Sequence, residues 1–548
     1  MLAILSINTT IDTPNTLAVR INMASHLLDL PDELIQAILR YVSPLDTALN
    51  IALTSRRLFK DANEQLLWRH YCRTDFSYWI DESIFDHRTS SSQSWKQRYI
   101  DRHVRDAANM RSFESLLTTQ KGRMTRMQDI AESGLEAREM LLGYYNCDDN
   151  ANDVLARRYW AESTMSLIHR SRALKTWARL ETSSVATLEE NLAAFDLFII
   201  GMGKGDADTI SAALDDIAHD IRQQHPDFDD LGVQEKLTTV AGFLRDNGLV
   251  GNSNTERYHG IENNFLSYAL LSESHTSLPL QSTAIFVSVA RRLGLNAHFC
   301  NFPTHIYAMA PLNQTHSDSE STVIEDGRTI IYLDPWAQSG VVDLAYLHNQ
   351  LSQMGIPRLS HDQYLQQAPV RDMVLRTARN VMRSWEETRR GVLAPHPSID
   401  TDNAFYAFLW AMLLIGTAEQ REMNVHRRRS YLPYLLETFQ NNYPEDVTMA
   451  EKYIAPMLEG DAQKEQFFQL TAELRANDRN ARPIMTRNSE PTKAVKYKVG
   501  QMFQHKRYGY VGVVIGWDPK CAAGEHWIVQ MNVDSLPNGR TQSFYHIL

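Results

Sequence analysis

Residues able to do covalent chemistry together occur in one neighbourhood of this 548-residue chain. A thiol or hydroxyl nucleophile needs a histidine to take its proton, and a carboxylate or amide to orient that histidine. His305 supplies the base, and Asp334, ending the β-rich run "TIIYLD", supplies the orienting group. The nucleophile is harder to place: Cys300 stands five residues before His305, and Ser282 and Thr283 stand in the apolar run upstream. The stretch "LPLQSTAIFVSVARRLGLNAHFCNFPTHIYAMA", Leu278 to Ala310, reads as a buried helix, a turn, a strand and then the histidine. Strand alternation puts Cys300 on one face with His298 and Phe302, where a lone cysteine is usually a small core residue. A metal reading of His298, Cys300 and His305 lacks a fourth ligand and fits no common zinc spacing, so no metal or cofactor is expected.

The length suggests three or four folding units, at about 150 residues each. Lysine plus arginine number 55 against 66 acidic residues, a net charge of −11, which argues against nucleic acid or an anionic membrane as the partner of the whole molecule. Cys72, Cys147, Cys300 and Cys521 are far apart and form no CxxC pair, so a reducing, cytoplasmic or nuclear setting is expected. Residues 1–25 carry a short apolar run and no basic residue before Arg20; they fail the signal-peptide pattern and read as an unstructured leader. The longest apolar segment, Ala404 to Ala418, is too short to cross a bilayer and reads as a buried helix.

Helix signals are dense in residues 26–76. Pro31 suits a helix start, Leu34, Ile35, Ile38, Leu39 and Val42 recur at helical spacing, and Ser43-Pro44 ends one helix and caps a second running through Leu45, Leu49 and Leu53. So small a unit cannot bury all its apolar residues, which leaves Leu30, Pro31, Pro44 and Leu45 facing outward. The block resembles an F-box in "LPDE" at Leu30 to Glu33, "SPLD" at Ser43 to Asp46, and "SRRLF" at Ser55 to Phe59 with Leu67-Trp68. That family docks on a Skp-type adaptor of a cullin-RING ubiquitin ligase. The resemblance therefore implies a substrate receptor that meets its adaptor through Leu30, Pro31, Leu34, Ile38, Pro44, Leu45 and Leu49.

Residues 77–186 read as a helical linker region, with the acidic "NCDDNAND" as an interhelical loop. "FIIGMGKGDADT" fails both phosphate-loop patterns and reads as a turn between helices.

Residues 187–390 resemble a bacterial, SirB-type transglutaminase-like domain, which some F-box proteins carry. The matching stretches are "FLRDNGLVGN", "YHGIENNFLSYAL", "PLQSTAIFVSVARRLGL", "NFPTHIYA" and "YLDPW". In catalytic relatives the nucleophile stands fifteen positions before the glycine ending the helix; here that position, counted from Gly294, is Pro279. The resemblance implies a vestigial pair, His305 and Asp334, in a non-catalytic domain, with a hydrolase using Cys300 or Ser282 as the alternative. The polar segment after Ala310 reads as a mobile hairpin insertion.

A helical extension over 391–476 and a linker over 477–494 lead to residues 495–548, where Val511, Val513 and Ile515 alternate and Gly509, Gly512 and Gly516 mark bends or close approaches. This unit resembles a YccV-like, or hemimethylated-DNA-binding-like, β-barrel through "HKRYGYVGVVIGWD", "HWIVQM" and "LPNGRTQSFYHIL". That family continues past the equivalent of Leu548, so an open or incomplete barrel is expected. His505, Arg507, Tyr508, Tyr510, Trp517 and Tyr545 form its candidate ligand site. Recognition of a protein signal is favoured there over DNA or chromatin, because basic residues are few. The fold expected is multidomain and mainly α: an N-terminal helical F-box, a helical linker region, an α+β middle domain and a small C-terminal β-barrel.

Overall fold

A computed structural model describes residues 27–79, 93–151, 153–180, 187–312, 323–324, 328–338, 340–416, 421–458, 461–481, 485, 492–506 and 508–548. The 1–25 leader, the centre of the expected hairpin insertion, half of the 477–494 linker and Arg507 lie outside the described residues. The chain divides into two compact units, Met1–Asp106 and Ala107–Leu548.

The first unit holds four short helices, α1 (Asp32–Leu39), α2 (Pro44–Leu49), α3 (Arg56–Ala62) and α4 (Gln65–Asp75), and the start of a longer one, Trp95–Thr118. Pro31 precedes α1, and Ser43 caps α2 by accepting the Asp46 N–H at 3.0 Å, with Pro44 in the first turn. The second helix stops at Leu49 rather than running through Leu53. Asn50 turns its side chain back onto the Asp46 carboxylate at 2.7 Å, and Ile51–Leu53 continues as a 3-10 turn. Ile35, Leu39, Leu58, Leu67, Trp68 and Tyr71 form the core. Trp68 packs edge-on against Tyr71 and Tyr99, and its indole N–H donates to the Ala62 carbonyl at 2.7 Å.

In the second unit one hydrophobic cluster runs from Phe113 through Phe467, so the residues expected as a linker region and as a helical extension share a core with the middle domain. The helix Thr401–Leu414 is buried almost all round, as its apolar composition requires. The expected phosphate-loop look-alike is a turn between the helices Leu188–Asp196 and Ala207–Gln224, where Asp206 caps the second by accepting the Thr209 N–H at 3.0 Å. A five-stranded antiparallel sheet carries the site: β1 (His298–Phe299), β2 (Ala308–Leu312), β3 (Val323–Ile324), β4 (Arg328–Leu333) and β5 (Val341–Val342). β2 pairs β4 with Ala308 opposite Leu333, while β3 and β5 share the other edge of β4. The ends of the polar insertion are therefore ladder residues, Pro311 opposite Ile330 and Leu312 opposite Thr329.

At the C-terminus β6 (Met502–Gln504), β7 (Val511–Asp518) and β8 (Phe544–Ile547) form an antiparallel three-stranded sheet, an open form of the expected barrel. Gly509 takes a φ of +71° in the β6–β7 turn, and a Cβ on Gly512 would lie 3.0 Å from the Phe503 ring and the Leu548 carbonyl. "HWIVQM" is not a strand: Glu525–Gln530 is a helix that buries only Ile528, and Trp527 and Val529, which a paired strand would cover, are exposed. Among the described residues no helix is long and apolar enough to cross a membrane.

Candidate functional site

Pro279 is the first residue of the helix Pro279–Arg292, where a missing N–H costs nothing. The start of that helix forms one wall of a cleft of about 400 Å³, and the segment Pro303 to Ile306, just before β2, forms another. His305 and Asp334 come together there, His305 Nε2 standing 2.8 Å from Asp334 Oδ2. The contact is close but is not an aligned hydrogen bond, since Nε2 has no partner in line with its N–H direction. Asp334 is fixed in turn by the Ala337 N–H, which donates to Oδ1 at 3.1 Å. Tyr307 and Trp336 pack around the imidazole, with ring centroids 4.7 and 6.1 Å away.

The alternative nucleophiles are held elsewhere. Cys300 is buried in a second cluster with Phe302, Tyr307 and Tyr332; its S–H donates to the Tyr364 carbonyl, and burial pushes its thiol up to about 12. Ser282 shares its hydroxyl with Ser277 at 2.7 Å and accepts the Gly251 N–H at 3.0 Å, while Thr283 donates to the Ile306 carbonyl. None of the residues lining the cleft is a cysteine or a serine. His298 is engaged by Arg291 and Asn296, apart from Cys300 and His305. Among the described residues no three metal-ligating side chains gather.

These contacts define an expected result. Iodoacetamide applied to the folded chain at pH 8 should leave Cys300 unmodified by mass spectrometry, with or without His305→Ala. Native-state labelling of Cys300 that disappears in His305→Ala would make it a nucleophile after all.

The cleft is also lined by residues that the sequence does not single out: Tyr258, His259, Arg376, Arg379 and Asn380. Arg376 and Arg379 recur at helical spacing in "VLRTARNVMRS", the one sequence signal for them.

On the first unit, Leu34, Ile38, Leu45 and Leu49 are 51, 42, 68 and 57% exposed, whereas Ile35 and Leu39 on the opposite side of α1 are 1% exposed. Pro31 is exposed and Leu30 and Pro44 are half-buried. In the C-terminal sheet the candidate ligand residues separate into two groups. His505 stacks on both Tyr508 and Tyr510, each centroid 4.9 Å away, and the two tyrosines are exposed. Trp517 sits opposite Tyr545 on β7 and β8, and the Tyr545 hydroxyl accepts the Lys496 N–H at 2.7 Å. Arg540 is held between Glu525 and Asp534 at 2.6 and 2.7 Å.

Three family models match the chain: F-box-like over residues 27–74, the transglutaminase-like superfamily over 208–379, and hemimethylated DNA-binding protein YccV like over 495–548. The chain thus carries an F-box-like, a transglutaminase-like and a YccV-like domain, in that order. Among individual proteins it is similar to F-box only protein 21 of Homo sapiens and of Mus musculus, each 24% identical over 328 residues. The same protein of Pongo abelii is 23% identical over 323 residues. The human and mouse matches cover 58% of this chain and 48% of the relative, so the chain spans about half the length of the relatives it matches. No solved structure matches.

Proposed function

We propose that this chain is the substrate-recognition subunit of a Skp-cullin-F-box type ubiquitin ligase, working in the cytoplasm or nucleus. Its first unit docks on the Skp-type adaptor and its later domains capture the substrate. The observation that carries the reading is the exposed apolar row Leu34, Ile38, Leu45 and Leu49 on helices whose other sides are already packed. Leaving such a row in water is unfavourable by about 1.5 to 3 kcal/mol per leucine relative to burial, and a partner removes that cost. A non-catalytic role for the middle domain is supported by Pro279 at the nucleophile position and by the burial of Cys300 and Ser282.

The test is capture of a purified Skp-type adaptor by the full chain. Leu34→Asp with Leu45→Asp should weaken capture by about 100-fold or more, since two buried leucines are replaced by two desolvated charges. Both side chains are exposed in the free chain, so its fold should be unchanged. Capture of the double variant at wild-type strength would overturn the reading.

A further inference from the structure

The transglutaminase-like cleft is cationic in an otherwise acidic chain. Arg376 and Arg379 both line it from the helix Val370–Arg389, together with His259 and His305. Neither arginine makes a hydrogen bond or ion pair with any described residue, whereas Arg383, one turn on, is engaged by Glu387 at 3.0 Å. The carboxylates nearby are accounted for. Asp334 is held by His305, and Asp372 lies within range of Arg376 but contacts Arg371, at 4.0 Å. Burial and the like charge of Arg379 push the Arg376 pKa below the usual arginine range; Asp372 opposes the shift from a distance but forms no ion pair with Arg376. Arg376 is half-buried and Arg379 exposed beside it; a half-buried guanidinium without an ion pair is costly, and a bidentate oxyanion is the ligand the planar donor forks of the two fit.

Resting on the receptor reading above, we infer that this cleft binds an acidic peptide segment of the substrate, an oxyanion of the peptide sitting between Arg376 and Arg379 with His305, His259 and Asn301 around it. The cleft volume of about 400 Å³ suits a short run of side chains rather than a folded surface. The position that would hold a nucleophile, Pro279, is instead part of the apolar wall beside Leu278 and Leu280. The shared chemistry is the oxyanion, supplied either by side-chain carboxylates or by phosphate.

The experiment is fluorescence anisotropy of the full chain with four labelled octapeptides that differ only at two central positions: glutamate, phosphoserine, glutamine or lysine. The glutamate probe should bind and the glutamine and lysine probes should not, with binding weakening as salt rises. Arg376→Ala with Arg379→Ala should weaken it about tenfold or more, and Arg376→Lys with Arg379→Lys should recover part of the loss, because charge is kept and the fork is not. Arg222→Ala, on an exposed site away from the cleft, should change nothing. Binding of the phosphoserine probe alone would keep the inference and assign phosphate as the source. Equal binding of glutamate and glutamine probes, or no effect of the double alanine variant, would overturn it. So would failure of both anionic probes on a chain that still captures the adaptor. Loss of adaptor capture with anion binding intact would overturn the receptor reading instead, and thermal melting of each variant confirms that it is folded.

Discussion

Asp446→Ala is expected to destabilise the second unit by about 3 to 5 kcal/mol, the usual result of removing one partner from a buried ion pair. Arg170, on the helix Val154–Arg179, is 4% exposed at its side chain, and Asp446 is fully buried. The guanidinium donates through Nε to Asp446 Oδ2 at 2.8 Å and through Nη2 to Oδ1 at 2.6 Å, and Nη2 also reaches Glu445 at 2.9 Å. Tyr406 donates to the same carboxylate at 3.1 Å, and the guanidinium lies over the Tyr443 ring at 4.9 Å. Burial opposes the charge on Arg170, but Asp446 and Glu445 outweigh it and hold the group well above its ordinary range. Without Asp446 the buried cation keeps one carboxylate of its two, and Tyr406 loses its acceptor. The midpoint of chemical denaturation reports the loss. A triple variant, Arg170→Met with Asp446→Leu and Glu445→Gln, should lose less than Asp446→Ala alone, because no charge of the network is then stranded. A loss below about 1 kcal/mol for the single variant would mean that the pair behaves like an exposed one.

That network also explains what the sequence could and could not show. Arg170 and Asp446 are 276 residues apart, and nothing local in either segment marks them as partners. The same long-range closure gathers residues expected as separate helical segments into one core. Local signals did better. Pro31 and Ser43-Pro44 mark the helix starts they were expected to mark, and the outward row Leu34, Ile38, Leu45 and Leu49 follows from helical spacing in a unit too small to bury it. His305 and Asp334 meet because β2 and β4 pair in the register that sets Ala308 against Leu333, one residue before Asp334.

The failures are local too, and physical. "HWIVQM" has the composition of a strand, yet after Gly524 it lies in the short helix Glu525–Gln530, and among the described residues β6, β7 and β8 pair without it. The arginines of the cleft were missed because an amphipathic helix normally turns its charges to solvent. Only the tertiary fold shows that Arg376 and Arg379 line the same cleft as Pro279 and His305.

Restoring a thiol at that wall should therefore produce the largest change in reactivity of any single substitution in the cleft. In Pro279→Cys the introduced thiol stands at the first residue of a fourteen-residue helix, in a cleft shared with His305, Arg376 and Arg379. A helix N-terminus, a neighbouring histidine and nearby cations each favour thiolate, and thiols so placed fall from about 8.5 to between about 3.5 and 7.5. Losing the proline costs about 0.4 to 1 kcal/mol of stability, too little to unfold the chain. At pH 6.5 the introduced thiol should react with iodoacetamide about tenfold or more faster than the same thiol in a chain that also carries His305→Ala. Equal rates in the two would mean that His305 does not serve position 279, and the His305–Asp334 pair would then be scaffolding alone. Faster labelling would show that the geometry of a thiol site persists around Pro279. On the reading proposed above, the proline would then be the residue that separates a thiol enzyme's cleft from an anion-binding one, because no thiolate would compete for the cations that line it.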